Sequence, residues 1–245
     1  MRAVGVIPAR FDAGRFPGKA LTPIAGVPMI RRVWEGAWSA KKLRAVLIAT
    51  DDARIADAVR AFGAEVVETR ADHPTGSDRV AEVARRFEDD IVVDVQGDEP
   101  LIEGFVIDAA VEALLEDAEA PMATVVHAAD AAALANPDRV KVALDRAGLA
   151  LYFSRSPIPA QRNPLAAARC WQHVGLYAYR RPFLLEFASL PRGPLERAEG
   201  LEQLRALEHG HRIRCAVIEG WSSTPVDAPE DVAAVEARLE HLGRR

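Results

Sequence analysis

The stretch Ala3-Val-Gly-Val-Ile7, followed directly by the loop Pro8-Ala-Arg-Phe-Asp-Ala-Gly-Arg-Phe-Pro-Gly-Lys19, decides the fold. Five small or β-branched apolar residues in a row are typical of a strand that is buried on both faces. The loop carries three cations and two glycines, a composition that lets backbone N–H groups and basic side chains approach phosphate oxygens. Ligands of parallel sheets bind outside the carboxyl ends of the strands, so this loop stands where a ligand is expected.

Two common nucleotide-binding patterns do not describe this loop. Ala13 stands where a Walker A loop needs its first glycine, and Ala20 stands where a serine or threonine would bind magnesium. The G-x-G-x-x-G fingerprint is absent from the sequence, which disfavours a nicotinamide oxidoreductase. The remaining interpretations are a loop that holds a nucleoside triphosphate and a solvated connection made of ordinary turn residues.

Short apolar runs alternate with helical patterns through the N-terminal half. The patterns predict strands at 3–7, 45–49, 65–68 and 91–95, and helices at 29–39, 53–62, 77–87 (with Ser77 as its cap) and 105–116. Strands separated by helices of about ten residues indicate βαβ units and therefore a parallel sheet. The predicted class is α/β, with a Rossmann-like, mostly parallel sheet flanked by helices.

The pattern changes after Met122. It predicts a β-hairpin of strands 140–144 and 149–154 with Gly148 in its turn, and an irregular loop at 156–168. A strand at 173–179, a helix at 195–208, a strand at 212–219 and a helix from about residue 229 follow. No repeat or composition break marks a linker, so we predict one domain, 1–245, with an inserted antiparallel β lobe at about 138–182.

Composition limits the function classes. With 245 residues, 49% of them hydrophobic and 27% charged, the chain has the make-up of an ordinary globular protein. Its net charge of −5 disfavours a nucleic-acid binder, which needs a basic face. No stretch approaches the roughly 20 apolar residues of a membrane span, and Cys170 and Cys215 make no disulfide framework. We expect a cytoplasmic protein without membrane insertion and without a nucleic-acid partner.

A carboxylate site follows the most hydrophobic predicted strand, in Val95-Gln-Gly-Asp-Glu-Pro100. Gly97 permits close approach of a ligand, and Asp98 offers the hard oxygen that Mg²⁺ prefers beside substrate phosphates. Asp227, near the last predicted helix, is the second carboxylate available. The alternatives are that Asp98 is merely solvated and that Asp227 caps that helix.

Several polar residues of the second half stand among apolar neighbours: His173, Tyr177, Glu202 and Gln203. Each residue taken alone is explained as readily by a purely structural role, as a hydrogen-bonded histidine, a core tyrosine or a solvated helix residue. A zinc site is disfavoured, because no standard ligand spacing is matched by Cys170, His173, His209, His211 and Cys215.

Nine motifs, taken in chain order, carry a family resemblance: PAR…GRFPGKAL, ATDD, TRADHPTGSDRVAE, VDVQGDEPLI, NPDRVKVALD, ALYFSRSPIP, HVGLYAYRR, LEQLRALEHG and VDAPEDV. Together they resemble the 3-deoxy-manno-octulosonate cytidylyltransferases (CMP-Kdo synthetases) over nearly the whole chain. The first loop is shared with many sugar nucleotidyltransferases, whereas VQGDEP followed by HVGLYAYRR and LEQLR is much more specific.

The resemblance implies an activity and a set of site residues. The implied enzyme uses Mg²⁺ and joins CTP to Kdo, an acidic eight-carbon sugar, to give CMP-Kdo and pyrophosphate. The implied pathway is lipopolysaccharide biosynthesis. The implied ligands of the CTP triphosphate are Ala9, Arg10, Arg15 and Lys19, and the implied catalytic residues are Arg15, Lys19 and Asp98. The cytosine pocket is implied at Arg70, Ala71 and Asp72, and the Mg²⁺ ligands are Asp98 and Asp227. The implied Kdo pocket comprises Arg79, Gln96, His173, Tyr177, Glu202 and Gln203.

The resemblance also implies a homodimer. The hairpin and the ALYFSRSPIP segment are the expected interface, with apolar contacts from Tyr152, Phe153 and Ile158; the alternative is that these residues pack internally. Three positions depart from the family pattern: Gly14 replaces a hydroxyl residue, Pro225 a glycine and Ala228 a threonine. The alternative functions are activation of another acid, such as 8-amino-Kdo, a sialic-acid-like sugar or a phosphonate, and a non-catalytic nucleotide-binding module.

Overall fold

The computed structural model describes residues 1–12, 16–162 and 168–243. Contacts divide the chain into two compact units, Met1–Asp108 with Ser223–Arg245, and Ala109–Ser222. No helix within the described ranges is long and apolar enough to cross a membrane. The prediction of one domain with a lobe at 138–182 stays a prediction.

The first unit alternates strands and helices, as predicted. Its elements are β1 (Ala3–Ala9), a 3-10 turn (Lys19–Leu21), β2 (Pro23–Ile24), β3 (Val27–Pro28), α1 (Met29–Trp38), β4 (Leu43–Thr50), α2 (Ala53–Ala61), β5 (Glu65–Glu68), α3 (Gly76–Ala84), β6 (Ile91–Val95) and the start of α4 (Gly104–Glu116), which runs into the second unit. Strands β6, β1, β4 and β5 lie in that order, and each neighbouring pair is parallel. The loops after β1, β4 and β6 therefore leave the same edge of the sheet.

Apolar faces hold the first unit together. All five residues of β6 are buried, as are six of the seven in β1. Helix α1 buries Met29, Ile30, Val33 and Ala37 on one face, a spacing that fits the period of an α-helix. Near the C-terminus, Val226 and two residues of the last helix, Val235 and Leu239, pack in a cluster with Ile24 and Met29. This packing fixes the segment that carries Asp227.

The second unit contains the antiparallel strands. Its elements are the rest of α4, β7 (Met122–Ala128), α5 (Ala131–Ala135), β8 (Lys141–Leu144), β9 (Ala150–Ser154), β10 (Trp171–Arg180), α6 (Arg181–Phe187), α7 (Pro194–Glu199), α8 (Gln203–Glu208) and β11 (Ile213–Ile218), and the last helix, α9 (Asp231–His241), returns to the first unit. Strand β7 is parallel to β11 and antiparallel to β10, and β8 is antiparallel to both β10 and β9. The predicted α/β class, with mostly parallel strands, helices around them and an antiparallel addition, is confirmed.

The predicted hairpin is confirmed as β8–β9. Gly148 has φ +80, a left-handed conformation that favours glycine, and its N–H donates to Asp145 O at 3.2 Å. Phe153 is fully buried, so the prediction that Phe153 offers an apolar interface contact is wrong. The exposed apolar residue of β9 is Leu151, at 62% exposure.

Two other predictions need correction, and one strand was missed. Ser77 does not cap α3; Thr75 does, because its hydroxyl accepts from Asp78 N while the Asp78 carboxylate accepts from Thr75 N. The helix predicted at 195–208 is two helices, since Gly200 adopts φ +63 and ends α7. Strand β7 was not predicted at all, although six of its seven residues are buried.

Candidate functional site

A cavity of about 190 Å³ lies in the first unit, beside the ends of β1 and β6. It is lined by Pro8, Ala9, Arg10, Lys19, Ala20, Met29, Gly76, Gln96, Gly97 and Asp98. Five of these residues were predicted as site residues from the family resemblance: Ala9, Arg10, Lys19, Gln96 and Asp98. The structure therefore brings together the two loops that the parallel sheet predicted to meet.

Lys19 is anchored at the wall of this cavity. Its Nζ donates to Asp98 Oδ2 at 3.1 Å and to the Val226 carbonyl oxygen at 2.9 Å. The approach to Lys19 requires Gly18, which has φ +74 and whose N–H donates to Phe11 O at 2.7 Å. The chain thus folds back over Phe11 and places the ammonium group at the cavity, where it can neutralise an anion.

Arg10 joins the first loop to the segment predicted to hold a base. Its guanidinium donates to the His73 carbonyl oxygen at 2.6 Å, and the buried His73 ring is hydrogen-bonded to Glu82. Burial raises the pKa of Glu82, but the hydrogen bonds from His73, Arg70 N and Arg86, together with the charge of His73, leave that pKa below its ordinary value. Arg10 therefore contacts a segment that the hydrogen bond between His73 and Glu82 ties to α3.

The three residues predicted for the cytosine pocket do not line the cavity. Arg70, Ala71 and Asp72 are exposed, and Arg70 Nε lies 3.4 Å from Asp72 Oδ1. They immediately precede His73 in the chain, so Arg10 ties them to the first loop. Their role in binding a base stays a prediction.

Arg79 is buried away from solvent and spans the ends of two strands. Its guanidinium lies 2.7 Å from Asp51 Oδ1, just after β4, and donates to Thr69 Oγ1, just after β5. Burial lowers the pKa of Arg79, while the Asp51 carboxylate opposes that shift. The structure gives Arg79 this bracing role, and its predicted contact with a sugar stays a prediction.

Asp98 and Asp227 lie on adjacent segments of the first unit. Val226 N donates to Asp98 O at 2.9 Å, which holds the two segments side by side. The alternative that Asp227 caps the last helix is not what the structure shows, since the cap position is Glu230. The Asp231 carboxylate instead accepts from the backbone N–H groups of Asp227 and Ala228, at 2.8 and 3.0 Å. Asp98 lines the cavity, and Asp227 follows Val226 on the neighbouring segment. Both carboxylates are partly exposed, and such oxygens fit Mg²⁺, which combines one or two carboxylates with substrate phosphates and water.

His173 and Tyr177 lie together in the second unit. Their ring centroids are 5.1 Å apart, and His173 Nε2 lies 3.0 Å from Thr124 Oγ1. Burial, and to a lesser extent the charge of His127, lowers the pKa of His173 from its ordinary value of 6.5 to about 3. The ring is therefore neutral at physiological pH.

Glu202 and Gln203 are neighbours at the start of α8, where Gln203 is almost fully buried. A bidentate ion pair between Arg205 of α8 and Glu196 of α7 holds the two helices together, at 2.8 and 2.6 Å. The predicted contacts of Glu202 and Gln203 with a sugar stay predictions. Arg15 and Gly14 lie outside the described residues.

Two buried polar residues beside predicted site residues were missed. Asp94 accepts a hydrogen bond from Gln96 Nε2 at 2.9 Å, and Thr124 contacts His173. The available signal was an acid within the otherwise apolar strand Ile91–Val95. Thr124 carried no comparable signal, because threonine is an ordinary strand residue.

The first unit has a parallel sheet, a basic loop after β1 and a carboxylate after the neighbouring strand β6. These features define a nucleotide-binding protein of the α/β class. A family model for cytidylyltransferases matches residues 4–213. The chain is 50% identical to a 3-deoxy-manno-octulosonate cytidylyltransferase of Syntrophotalea carbinolica, over 99% of this chain and 100% of that one. It is 52% identical to the protein of the same name from Syntrophobacter fumaroxidans, over 96% of each chain. A solved structure of CMP:2-keto-3-deoxy-manno-octonic acid synthetase complexed with CTP matches with a TM-score of 0.92 and 43% identity, over 99% of this chain and 100% of that one. The chain belongs to the family of 3-deoxy-manno-octulosonate cytidylyltransferases.

Proposed function

We propose that this chain is an enzyme that couples CTP and Kdo to give CMP-Kdo and pyrophosphate, and that it serves lipopolysaccharide biosynthesis. The observation that carries the proposal is the match, over nearly the full length of both chains, to a synthetase solved with CTP. The cavity supports it, because Arg10, Lys19 and Asp98 provide two cations and a carboxylate in one place.

The proposed reaction is a direct in-line displacement at phosphorus. The anomeric C2 hydroxyl of the sugar forms a bond to the α-phosphorus of CTP, and the bond from that phosphorus to the oxygen of the β-phosphate breaks. The hydroxyl proton passes to solvent, and the electron pair leaves with pyrophosphate. No covalent enzyme intermediate is needed, since such displacements are catalysed mainly by positioning and by charge neutralisation.

The first loop supplies the charge neutralisation. Lys19 and Arg15 are proposed to stabilise the negative charge that grows on the departing pyrophosphate. Ala9 and Arg10 are proposed to hold the triphosphate before reaction. The anchoring of Lys19 by Asp98 and Val226 supports this role, because a cation held in place loses little freedom when the triphosphate binds.

We propose Mg²⁺ as the cofactor, held by Asp98 and Asp227. When bound, the ion would neutralise phosphate charge and lower the pKa of the attacking hydroxyl. The lysine beside Asp98 keeps this carboxylate at the cavity wall, and the hydrogen bond from Val226 N to Asp98 O holds the segment that carries Asp227 next to the segment that carries Asp98. The sugar-binding roles of Arg79, Gln96, His173, Tyr177, Glu202 and Gln203, and the cytosine-binding roles of Arg70, Ala71 and Asp72, are proposals that rest on the family resemblance.

The activity is tested by pyrophosphate release from CTP with Mg²⁺, screened over Kdo, 8-amino-Kdo and N-acetylneuraminate. We expect turnover with Kdo, and preferential turnover of another acid would reassign the acceptor. Binding of CTP without pyrophosphate release from any acceptor would instead indicate a non-catalytic nucleotide-binding module.

The proposed role of Asp98 is tested by Asp98→Asn. We expect turnover to fall by about a hundredfold or more, because a ligand for Mg²⁺ and a charge beside the phosphates are lost together. The matched control is Asp57→Asn, because the side chain of Asp57 on α2 is 77% exposed. Near-normal CMP-Kdo formation by Asp98→Asn would remove the metal assignment.

We further propose a cytoplasmic homodimer. Free thiols at Cys170 and Cys215 support a reducing compartment. The exposed Leu151 beside the partly buried Tyr152 supports an apolar contact from the hairpin. Light scattering after size-exclusion chromatography tests the dimer; we expect twice the chain mass for the natural protein and a shift toward the single-chain mass for Leu151→Asp.

A further inference from the structure

A buried threonine determines which nitrogen of His173 carries the proton. His173 Nε2 lies 3.0 Å from Thr124 Oγ1, and that oxygen lies 2.6 Å from the carbonyl oxygen of Leu176. A carbonyl oxygen only accepts, so the single hydroxyl proton of Thr124 is donated to Leu176. Thr124 then has only lone pairs to offer the ring. The neutral His173 ring must therefore carry its proton on Nε2 and donate it to Thr124.

An irregularity in β10 creates this arrangement. The register against β7 shifts between Val174 and Tyr177, so that Gly175 and Leu176 fall outside the ladder. In a straight strand, the Cα atoms of residues four apart are separated by about 13 Å, and their side chains leave the same face in parallel. Here the rings of His173 and Tyr177 have centroids only 5.1 Å apart. Bulges next to active sites re-aim side chains in this way.

The other nitrogen of His173 is an acceptor. The ring packs edge-on against Phe153, with centroids 5.4 Å apart, and lies beside Tyr177. Burial keeps the ring neutral, because it lowers the pKa of His173 to about 3. With the proton on Nε2, Nδ1 presents a lone pair. No protein group in the described ranges donates a hydrogen bond to it.

We propose that Thr124 is a positioning residue that holds His173 as a hydrogen-bond acceptor, so that the sugar-acid group at Nδ1 is a hydroxyl and not the carboxylate. An ionised carboxylate has no proton to donate, and its oxygens would repel the ring lone pair. The hydroxyl-rich part of the acceptor is thereby distinguished from its acidic end. The assignment of a sugar acid to His173 rests on the proposed function, whereas the state of the ring does not.

The state of the ring is tested by NMR on the full-length protein labelled with ¹⁵N-histidine, without substrate. Long-range proton–nitrogen correlations separate a protonated from an unprotonated ring nitrogen, and His173→Gln assigns the signals. We expect a protonated Nε2 and an unprotonated Nδ1 for His173 at neutral pH. A proton on Nδ1, or on both nitrogens, would overturn the proposal whatever the enzyme acts on.

The consequence for the reaction is tested by Thr124→Val, which keeps the side-chain shape, and by Thr124→Ser, which keeps the hydroxyl. For Thr124→Val we expect a KM for Kdo raised about tenfold, with the KM for CTP within about twofold. Thr124→Ser should retain both values and the natural NMR signature. In a His173→Gln background, Thr124→Val should add nothing further.

Each outcome of these experiments decides something. Equal rises in both KM values, or a full additional loss in the His173→Gln background, would show that Thr124 does not act through His173 and would overturn the proposal. If Thr124→Val does not fold, the NMR signature of the natural protein and of Thr124→Ser decides. If the natural protein does not turn over Kdo, the proposed function fails while the NMR result still stands.

Discussion

Lys19 Nζ lies 3.1 Å from Asp98 Oδ2 and so joins the loop after β1 to the loop after β6. The side chains are 17% and 30% exposed, so the pair faces the cavity but is partly shielded from water. A cation in such a place contributes more to binding a polyanion than it does on an open surface. The same contact couples the proposed phosphate-binding and metal-binding groups.

Lys19→Met tests the contribution of this ammonium group. We expect turnover to fall by about 100- to 1,000-fold, because a preorganised positive group opposite the departing pyrophosphate is lost. The measurement is steady-state pyrophosphate release with CTP varied. Lys41→Met is the control, since Lys41 is exposed and its backbone N–H, not its ammonium group, donates to Asp108 Oδ2 at 3.0 Å. A loss of less than about threefold for Lys19→Met would contradict the assigned role.

Asp94→Asn tests the orientation of the Gln96 amide. Asp94 Oδ1 accepts from Gln96 Nε2 at 2.9 Å, so Asp94 holds the amide nitrogen of Gln96 toward itself and leaves the amide oxygen for a ligand. An asparagine can present its own N–H group and permit the reversed amide. We expect the KM for the sugar acid to rise by about three- to tenfold with little change for CTP. An unchanged KM with a fully folded variant would show that the orientation of Gln96 is unimportant.

The sequence predicted the parts of the fold whose pattern is local. Strand β6 was predicted at its observed bounds, because five buried residues in a row have a clear limit on either side. Strand β7 was missed because its apolar run begins directly after an alanine-rich turn, and only its pairing with β10 and β11 distinguishes it. Gly200 was read as part of a helix, since one glycine does not reveal from sequence alone that the chain turns left-handed there.

The part of the candidate site that lies at the carboxyl ends of the parallel strands was predictable from the sequence. Parallel strands bring their carboxyl ends to one edge, so Lys19 and Asp98 were expected together before any contact was known. Asp94 and Thr124 obey no such rule. Thr124 acquires its role from His173 on the bulged strand β10, which tertiary packing places there. Asp94 acquires its role from the side-chain orientation of Gln96, two residues further along the chain, which the sequence does not reveal.

His173 makes the stability of the protein depend on pH. Its pKa of about 3 in the folded protein lies below the ordinary value of 6.5. At a pH between these two values, the unfolded chain therefore binds a proton at His173 that the folded protein does not bind. The contribution of this group is therefore present above about pH 6.5 and is lost as the pH falls toward 3, by up to about 1.4 kcal/mol for each pH unit. Urea unfolding at about pH 7, 6 and 5 should show a shallower decline for His173→Gln than for the natural protein. His241→Gln, at an exposed position of α9, is the control and should keep the natural slope; parallel declines for the natural protein and His173→Gln would contradict the low pKa.

The Arg205–Glu196 pair supports the segment that carries Glu202 and Gln203. The two side chains are 3% and 6% exposed, so removal of the carboxylate leaves a guanidinium buried without its main counter-charge. We expect Glu196→Gln to lower the free energy of unfolding by about 3–5 kcal/mol. Glu68→Gln, which breaks the exposed Arg60–Glu68 pair, should cost less than about 1 kcal/mol, because water already solvates those charges. Urea denaturation measures both, and equal losses would contradict the argument from burial. Glu196→Leu combined with Arg205→Met should recover much of the loss, because it removes both charges rather than leaving one of them buried.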